Sequence, residues 1–275
     1  MSDLTRATTA LFVPGNRPER FAKAASSGAG VVIIDLEDAV APQAKADARA
    51  SLVRALRNDE LAAVVRVNAS SSDYFAADLA ALSGLSGTSN LLGIMPAKVE
   101  SAADLAPFIG HADLSTIALV PLIETALGLR DIDAIAAVSG VVRLAFGAID
   151  FAADIAAGDD DRFLDYARSR LVLASRAASL AAPLDSPCAA IDEVEVVTTS
   201  ARLARGFGFG GKLCIHPAQL AAVRAAFMPS SAEIAWAEKI AAAGPGAVKI
   251  DGYMVDPPVV ARAERILRLV EESRP

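Results

Sequence analysis

Five carboxylates in this chain, Asp35, Glu37, Asp38, Glu124 and Asp150, close or follow short apolar runs: VVIIDLED at 31–38, IALVPLIET at 117–125 and VVRLAFGAID at 141–150. Groups at the carboxyl ends of parallel strands converge on one mouth when the strands close into a barrel. Carboxylates aimed at one mouth repel each other unless a cation neutralises them, and oxygen donors without a Cys or His pair select a hard ion. Mg²⁺ is the expected metal, with Mn²⁺ able to substitute. It takes one or two protein carboxylates at about 2.0–2.1 Å and leaves its other positions to water and substrate oxygens. Two direct ligands therefore suffice, and the other carboxylates can grip metal-bound water.

Other strand ends carry Arg66 and Asn68, Lys98 and His216. The planar fork of Arg66 suits a carboxylate or a thioester or enolate oxygen, or a salt bridge within the acidic mouth. Lys98 could be a Schiff-base nucleophile, but an acidic setting keeps an amine protonated. His111 and His216 have no partner at readable spacing and read as local hydrogen-bonding groups. The turn Pro14-Gly15-Asn16-Arg17-Pro18, with Glu19, Arg20 and Lys23 after it, puts amides and cations near a helix start, where a phosphate could bind or where the chain simply turns in solvent.

The elements that must position these groups read as eight apolar runs, beginning ALFVPG near 10–15 and ending KLCIHP at 212–217, with Ala-rich helical segments between them. Continuous apolar runs without alternation are strands buried on both faces of a parallel sheet. The expected fold is α/β, a (β/α)₈ TIM barrel over residues 1–228, with an open doubly wound sheet as the alternative. No G-x-G-x-x-G follows the first run, which argues against a dinucleotide fold. Residues 229–275 read as a C-terminal helical extension: a helix at SAEIAWAEKIAAAG, an extended piece at AVKIDGYMVDPP and a final helix VVARAERILRLVEES. It would pack on the barrel or on a neighbouring subunit.

The chain has 275 residues, a net charge of -7, 53% hydrophobic content and only 5% aromatic residues. Scattered basic residues in an acidic chain argue against nucleic-acid binding. No stretch reaches the roughly 18 uninterrupted apolar residues of a membrane span, and no signal-peptide pattern opens the sequence. Cys188 and Cys214 lie far apart and read as reduced thiols. A cytoplasmic protein is expected.

The segments LFVPGNRPERFAKA, VVIIDLEDAV with Lys45 and Arg49 downstream, VRVN, MPAKVES, PLIETALGL, LAFGAIDFAADI, GGKLCIHPAQL and DGYMVDPPVV stand in the order found in the citrate lyase β-subunit and malyl-CoA lyase family. The chain resembles that family from Leu11 to about Ala263. The resemblance implies Mg²⁺-dependent carbon–carbon cleavage of a 3-hydroxy-3-carboxyacyl-CoA thioester of the malyl-, citramalyl- or citryl type, giving a 2-oxo acid and acetyl- or propionyl-CoA. It implies that Glu124 and Asp150 bind the metal, that Glu37 and Asp38 orient metal-bound water, and that Arg66 holds the substrate near its carbonyl or enolate. Gly147, Ala148 and Ile149 resemble the backbone that donates amides to the substrate carboxylate. Asp256 resembles an acid/base delivered from a neighbouring subunit, so a homo-oligomer is expected, a trimer or a multiple of it; as a residue of Asp256-Pro257-Pro258-Val259 it also reads as a helix cap. Pro14, Gly15, Arg17, Arg20 and Lys23 are the candidate CoA-binding residues. The turn and tail look like the stand-alone members of the family. A metal-dependent aldolase acting on free 2-oxo acids, and a non-catalytic acyl-thioester-binding homologue, remain the rival readings; the first would be expected to use a histidine base near the metal.

Overall fold

The apolar runs form strands that pair in parallel in the order β4-β3-β2-β1-β8-β7-β6-β5. They are β1 (Thr9–Pro14), β2 (Val31–Asp35), β3 (Ala63–Val67), β4 (Leu91–Pro96), β5 (Leu122–Ile123), β6 (Arg143–Phe146), β7 (Ala181–Asp185) and β8 (Gly211–Cys214). This computed structural model describes residues 4–85, 87–158, 162–242, 248–250 and 253–272. The ring closes through Leu119, which bridges Ile94 on one side and Val141 on the other. Across that seam the Ile94 amide donates to the Ala118 carbonyl and the Val120 amide to the Ile94 carbonyl, each at 2.8 Å. The run at 117–125 is thus not one continuous strand. Pro121 has no amide to donate, so the ladder shrinks to a bridge at Leu119 and the two residues of β5. The fold is a (β/α)₈ barrel, as the spacing of the runs predicts.

Strand parity decides what faces the barrel axis. Ala10, Ile33, Val64, Leu122, Ala145, Leu184 and Leu213 belong to one buried core cluster. Two residues further along each strand the side chains return to the same face, which brings Phe12, Asp35, Arg66, Glu124, Gly147, Ser186 and Ile215 to the next layer up. The barrel is apolar at its waist and charged at its carboxyl-end mouth.

The opposite end is closed by Arg143, which is 1% exposed. Its Nε donates to the Ala182 carbonyl at 2.7 Å, and Nη1 donates to the carbonyls of Leu4 and Ala7 at 3.1 and 2.7 Å. A side chain here ties the segment before β1 under the barrel. Gly210 makes room for it, since a Cβ there would lie 2.9 Å from Arg143 Nη2.

The chain divides into two units, Met1–Arg224 and Ala225–Pro275. The second contains the helices Ser231–Ala242 and Pro257–Glu272 and an antiparallel pair, β9 (Val248–Ile250) and β10 (Tyr253–Val255). Ala237, Ile240, Val255, Ala263 and Ile266 form its core, and Arg262 stacks 5.0 Å from the centroid of Trp236. Among the described residues no helix is long and apolar enough to cross a membrane.

Candidate active site

A cavity of about 250 Å³ opens at the charged mouth, lined by the upper-layer residues Phe12, Asp35, Arg66, Glu124, Gly147, Ser186 and Ile215 together with Asp38, Ile149, Asp150 and others. Glu124 and Asp35 are its most buried acids, each at 1% exposure, and Arg66 pairs Asp35 at two points; Glu124 is the one placed by the loop after β5. Three features of the local sequence put it there. Thr125 caps the following helix, accepting from the Gly128 amide at 3.1 Å. Gly128 lets that helix approach the Val99 carbonyl, which a Cβ would overlap. Gly147, beside Glu124 across the β5–β6 register, leaves the space the carboxylate occupies: a Cβ would collide with Oε2 and lie 2.7 Å from Glu124 Cβ.

Asp150 is not at a strand end as the sequence suggests. It lies in the first turn of the helix Ala148–Asp154, because Gly147 ends β6 and starts the helix. That helix is pinned at both ends: the Ala148 amide donates to Ser186 Oγ at 3.0 Å and the Ala126 amide to Asp154 Oδ2 at 2.7 Å. The Glu124 carboxyl is pushed up to about 8, chiefly by burial; Arg66 opposes the rise, and Glu37 and Asp150 add to it by repulsion. A hard cation between Glu124 and Asp150 would relieve this, and two carboxylates are the number Mg²⁺ ordinarily takes from a protein. The donor set therefore fits Mg²⁺.

The cations at the mouth are firmly engaged. Arg66 and Asp35 face each other across β2 and β3 and form a two-point pair, Nε to Oδ1 at 2.7 Å and Nη2 to Oδ2 at 2.6 Å. Arg66 Nη1 lies 3.1 Å from Glu37 Oε2, and the guanidinium sits 4.8 Å from the Phe12 ring centroid. These partners outweigh burial and raise the Arg66 pKa further. Lys98 pairs with Glu37 and, at 3.2 Å, with Asp38. Its amine is likewise held protonated, which removes the Schiff-base reading. Its own amide, turned by a φ of 48°, donates to Glu124 Oε1 at 2.8 Å.

A buried layer supports the acidic turn after β2. Lys45 Nζ donates to the carbonyls of Leu36 and Glu37 and to Asn68 Oδ1 at 2.8, 3.0 and 2.8 Å. Asn68 in turn reaches Asp78, which Arg49 pairs at 3.0 Å. The Lys and Arg that follow the DLEDAV segment, and the Asn that ends VRVN, are thus one scaffold.

Of the three backbone amides expected to meet a substrate carboxylate, that of Gly147 donates to the Ile123 carbonyl at 3.0 Å and that of Ala148 to Ser186. Helix geometry leaves the amides of Ile149 and Asp150, in the first turn, without an acceptor in the preceding backbone. What Gly147 contributes to the cavity is space.

A second cavity, about 500 Å³, is lined by Pro14, Arg20, Lys23, Phe12, Ile215 and His216 among others. Gly15 is buried against β2, where a Cβ would lie 2.9 Å from the Asp35 carbonyl, and Arg17 points to Glu19 at 2.6 Å. Both histidines serve local turns: Nδ1 of His216 accepts from the Ala218 amide and Nδ1 of His111 from the Asp113 amide. Asp256 belongs to the other unit and caps its last helix, accepting from the Val259 amide at 3.2 Å.

Sequence reasoning missed Ser186, which follows Leu184 by two and is marked by strand parity alone; it placed Asp35 in the acidic mouth without naming it as the partner of Arg66.

The family described as HpcH/HpaI aldolase/citrate lyase matches residues 8–217. The chain is 39% identical over 273 residues to a citrate lyase subunit beta-like protein of Mycobacterium tuberculosis, covering 96% of this chain and 95% of that one. It is 31% identical over 288 residues to human mitochondrial citramalyl-CoA lyase, covering 94% and 84%. The crystal structure of CitE from Mycobacterium tuberculosis in complex with magnesium, acetoacetate and coenzyme A matches with a TM-score of 0.86 at 36% identity, covering 98% of this chain and 100% of that one. A barrel with this mouth and these relatives belongs to the HpcH/HpaI aldolase/citrate lyase family.

Proposed function

We propose that this chain is a Mg²⁺-dependent carbon–carbon lyase that cleaves, or in reverse forms, a 3-hydroxy-3-carboxyacyl-CoA thioester of the malyl-, citramalyl- or citryl type, with a 2-oxo acid and acetyl- or propionyl-CoA on the other side. The observation that carries this reading is Glu124: a carboxylate 1% exposed, repelled by Glu37 and Asp150, in a cavity that also presents a guanidinium. Relatives named for citramalyl-CoA cleavage, and a relative bound to magnesium and coenzyme A, support it.

Glu124 and Asp150 hold the metal in this reading. Mg²⁺, when bound, supplies Lewis acidity and a template for the carboxylate and hydroxyl oxygens of the 2-oxo acid half. The amides at the start of the helix Ala148–Asp154 orient the substrate carboxylate through the helix N-terminus. Arg66 stabilises the thioester oxygen as it takes on enolate charge; Asp35 occupies the edge formed by Nε and Nη2, Glu37 lies against Nη1, and each terminal nitrogen has a further N–H to offer. Glu37 and Asp38 orient water at the metal. Pro14, Gly15, Arg17, Arg20 and Lys23 surround the approach of the CoA phosphates, with Arg20 and Lys23 on the wall of the larger cavity.

Asp256 supplies the proton to the enolate carbon, or removes it from the acetyl methyl in the condensation, from a neighbouring subunit of a homotrimer. The 74% exposure of Met254 supports an assembly that covers this stretch; light scattering that gave a monomer would remove Asp256 from the site. The two free cysteines suit a cytoplasmic enzyme. The test of function is incubation with malyl-, citramalyl- and citryl-CoA, with Mg²⁺ and with excess chelator. Release of 2-oxo acid from at least one thioester only with metal is expected; no release from any, or full turnover after metal stripping, overturns the proposal.

A further inference from the structure

We infer that Lys98 is a built-in counter-cation that keeps Glu37 and Asp38 out of direct metal coordination, so that the mouth holds its ion through Glu124 and Asp150 alone. The inference rests on the metal reading above and deepens it.

Beside Asp35, which Arg66 holds at two points, four more carboxylates, Glu37, Asp38, Glu124 and Asp150, surround the mouth, and an unrestrained set of this size would form a many-oxygen cage suited to larger ions and short of positions for substrate. Lys98 divides them. Its ammonium contacts Glu37 Oε1 and Asp38 Oδ2, while Glu37 Oε2 is taken by Arg66 Nη1 at 3.1 Å and by the Asp38 amide at 3.0 Å. Both oxygens of Glu37 are thus engaged by positive groups, and a carboxylate so engaged is a poor direct ligand. The same residue positions the other side of the site, since its amide donates to Glu124 Oε1. That dual reach depends on the left-handed backbone at Lys98, φ 48°, a conformation that non-glycine residues seldom adopt and that recurs at functional sites. The side chain is 35% exposed, so core packing does not account for it.

The test titrates Mn²⁺ alone into the full-length protein and its variants by calorimetry, and follows kcat in parallel. Lys98→Gln should bind Mn²⁺ about tenfold more tightly, because a competing charge is gone and Glu37 and Asp38 are released. Its kcat should fall, because a carboxylate that coordinates displaces a substrate oxygen. Lys98→Arg should restore both toward wild type. A merely structural lysine would lower affinity and kcat together, and Mn²⁺ affinity that is unchanged or weaker in Lys98→Gln overturns the inference. Lys98→Gly, which suits the positive φ, carries the same test if the Gln variant does not fold. Wild-type protein that binds no Mn²⁺ overturns the metal reading and this inference with it, whereas wild-type binding left unaltered in Lys98→Gln overturns the inference alone.

Discussion

Arg66 and Arg143 leave barrel strands at opposite ends, and each is largely buried, but the groups they donate to differ. At the floor, Arg143 donates to the carbonyls of Leu4, Ala7 and Ala182. Those carbonyls are fixed by the backbone and need a donor wherever water is excluded. At the mouth, Arg66 meets carboxylates, and the excess of acid over base leaves Glu124 short of compensation. A barrel can bury an arginine for integrity at one end and for chemistry at the other. What marks the mouth is an acid, Glu124, that the neighbouring cations leave uncompensated.

If this contrast is right, changes at the mouth should act on turnover and changes at the floor on stability. Among changes that leave the proposed metal ligands in place, the largest effect is expected from Gly147→Ala, which drives a methyl into Glu124: kcat/KM should fall about a hundredfold or more in assays of 2-oxo acid release, as small displacements of a reacting constellation do. Wild-type turnover in that variant would mean that Glu124 is not held as described. Arg66→Lys keeps the charge and loses the two-point pair with Asp35, so kcat should drop about tenfold to a hundredfold while denaturant unfolding changes less than in the floor variant. Arg143→Met should behave the opposite way, losing about 3 kcal/mol in denaturant unfolding because buried carbonyls are left unpaired, with kcat per folded molecule near wild type. Loss of activity at unchanged stability would erase the distinction between the two ends. The smallest effect belongs to the larger cavity: Arg20→Ala and Lys23→Ala, both exposed, should raise the KM for the CoA thioester a few-fold and leave kcat alone.

Much of the barrel is legible in the residues. Continuous apolar runs mark strands buried on both faces, and the polar residue that ends each run marks the mouth. Asp150 and β5 show where that reading stops. A glycine and a proline, Gly147 and Pro121, change the local element without changing the hydrophobic pattern, so a helix start and an interrupted strand look like continuous runs. Within the site, the acidic residues are evident, but their pairing is not: Lys98 lies 61 residues from Glu37, and whether it meets Glu37, Asp38 or Glu124 depends on how β4 sits against its neighbours and on a positive φ that no residue type announces. Ser186 carries a signal, its spacing of two from Leu184, that becomes informative only once the inward face of β7 is known.

The most direct test of the mouth as a metal-dependent site is the turnover of Glu124→Gln, assayed as 2-oxo acid release in saturating Mg²⁺ on protein shown by circular dichroism to be folded. Removing one of the two proposed direct ligands should lower kcat about a thousandfold or more while the thermal transition is retained. Turnover near wild type in that folded variant would contradict the assignment of Glu124 as a ligand, and with it the charge imbalance on which the account of this mouth depends.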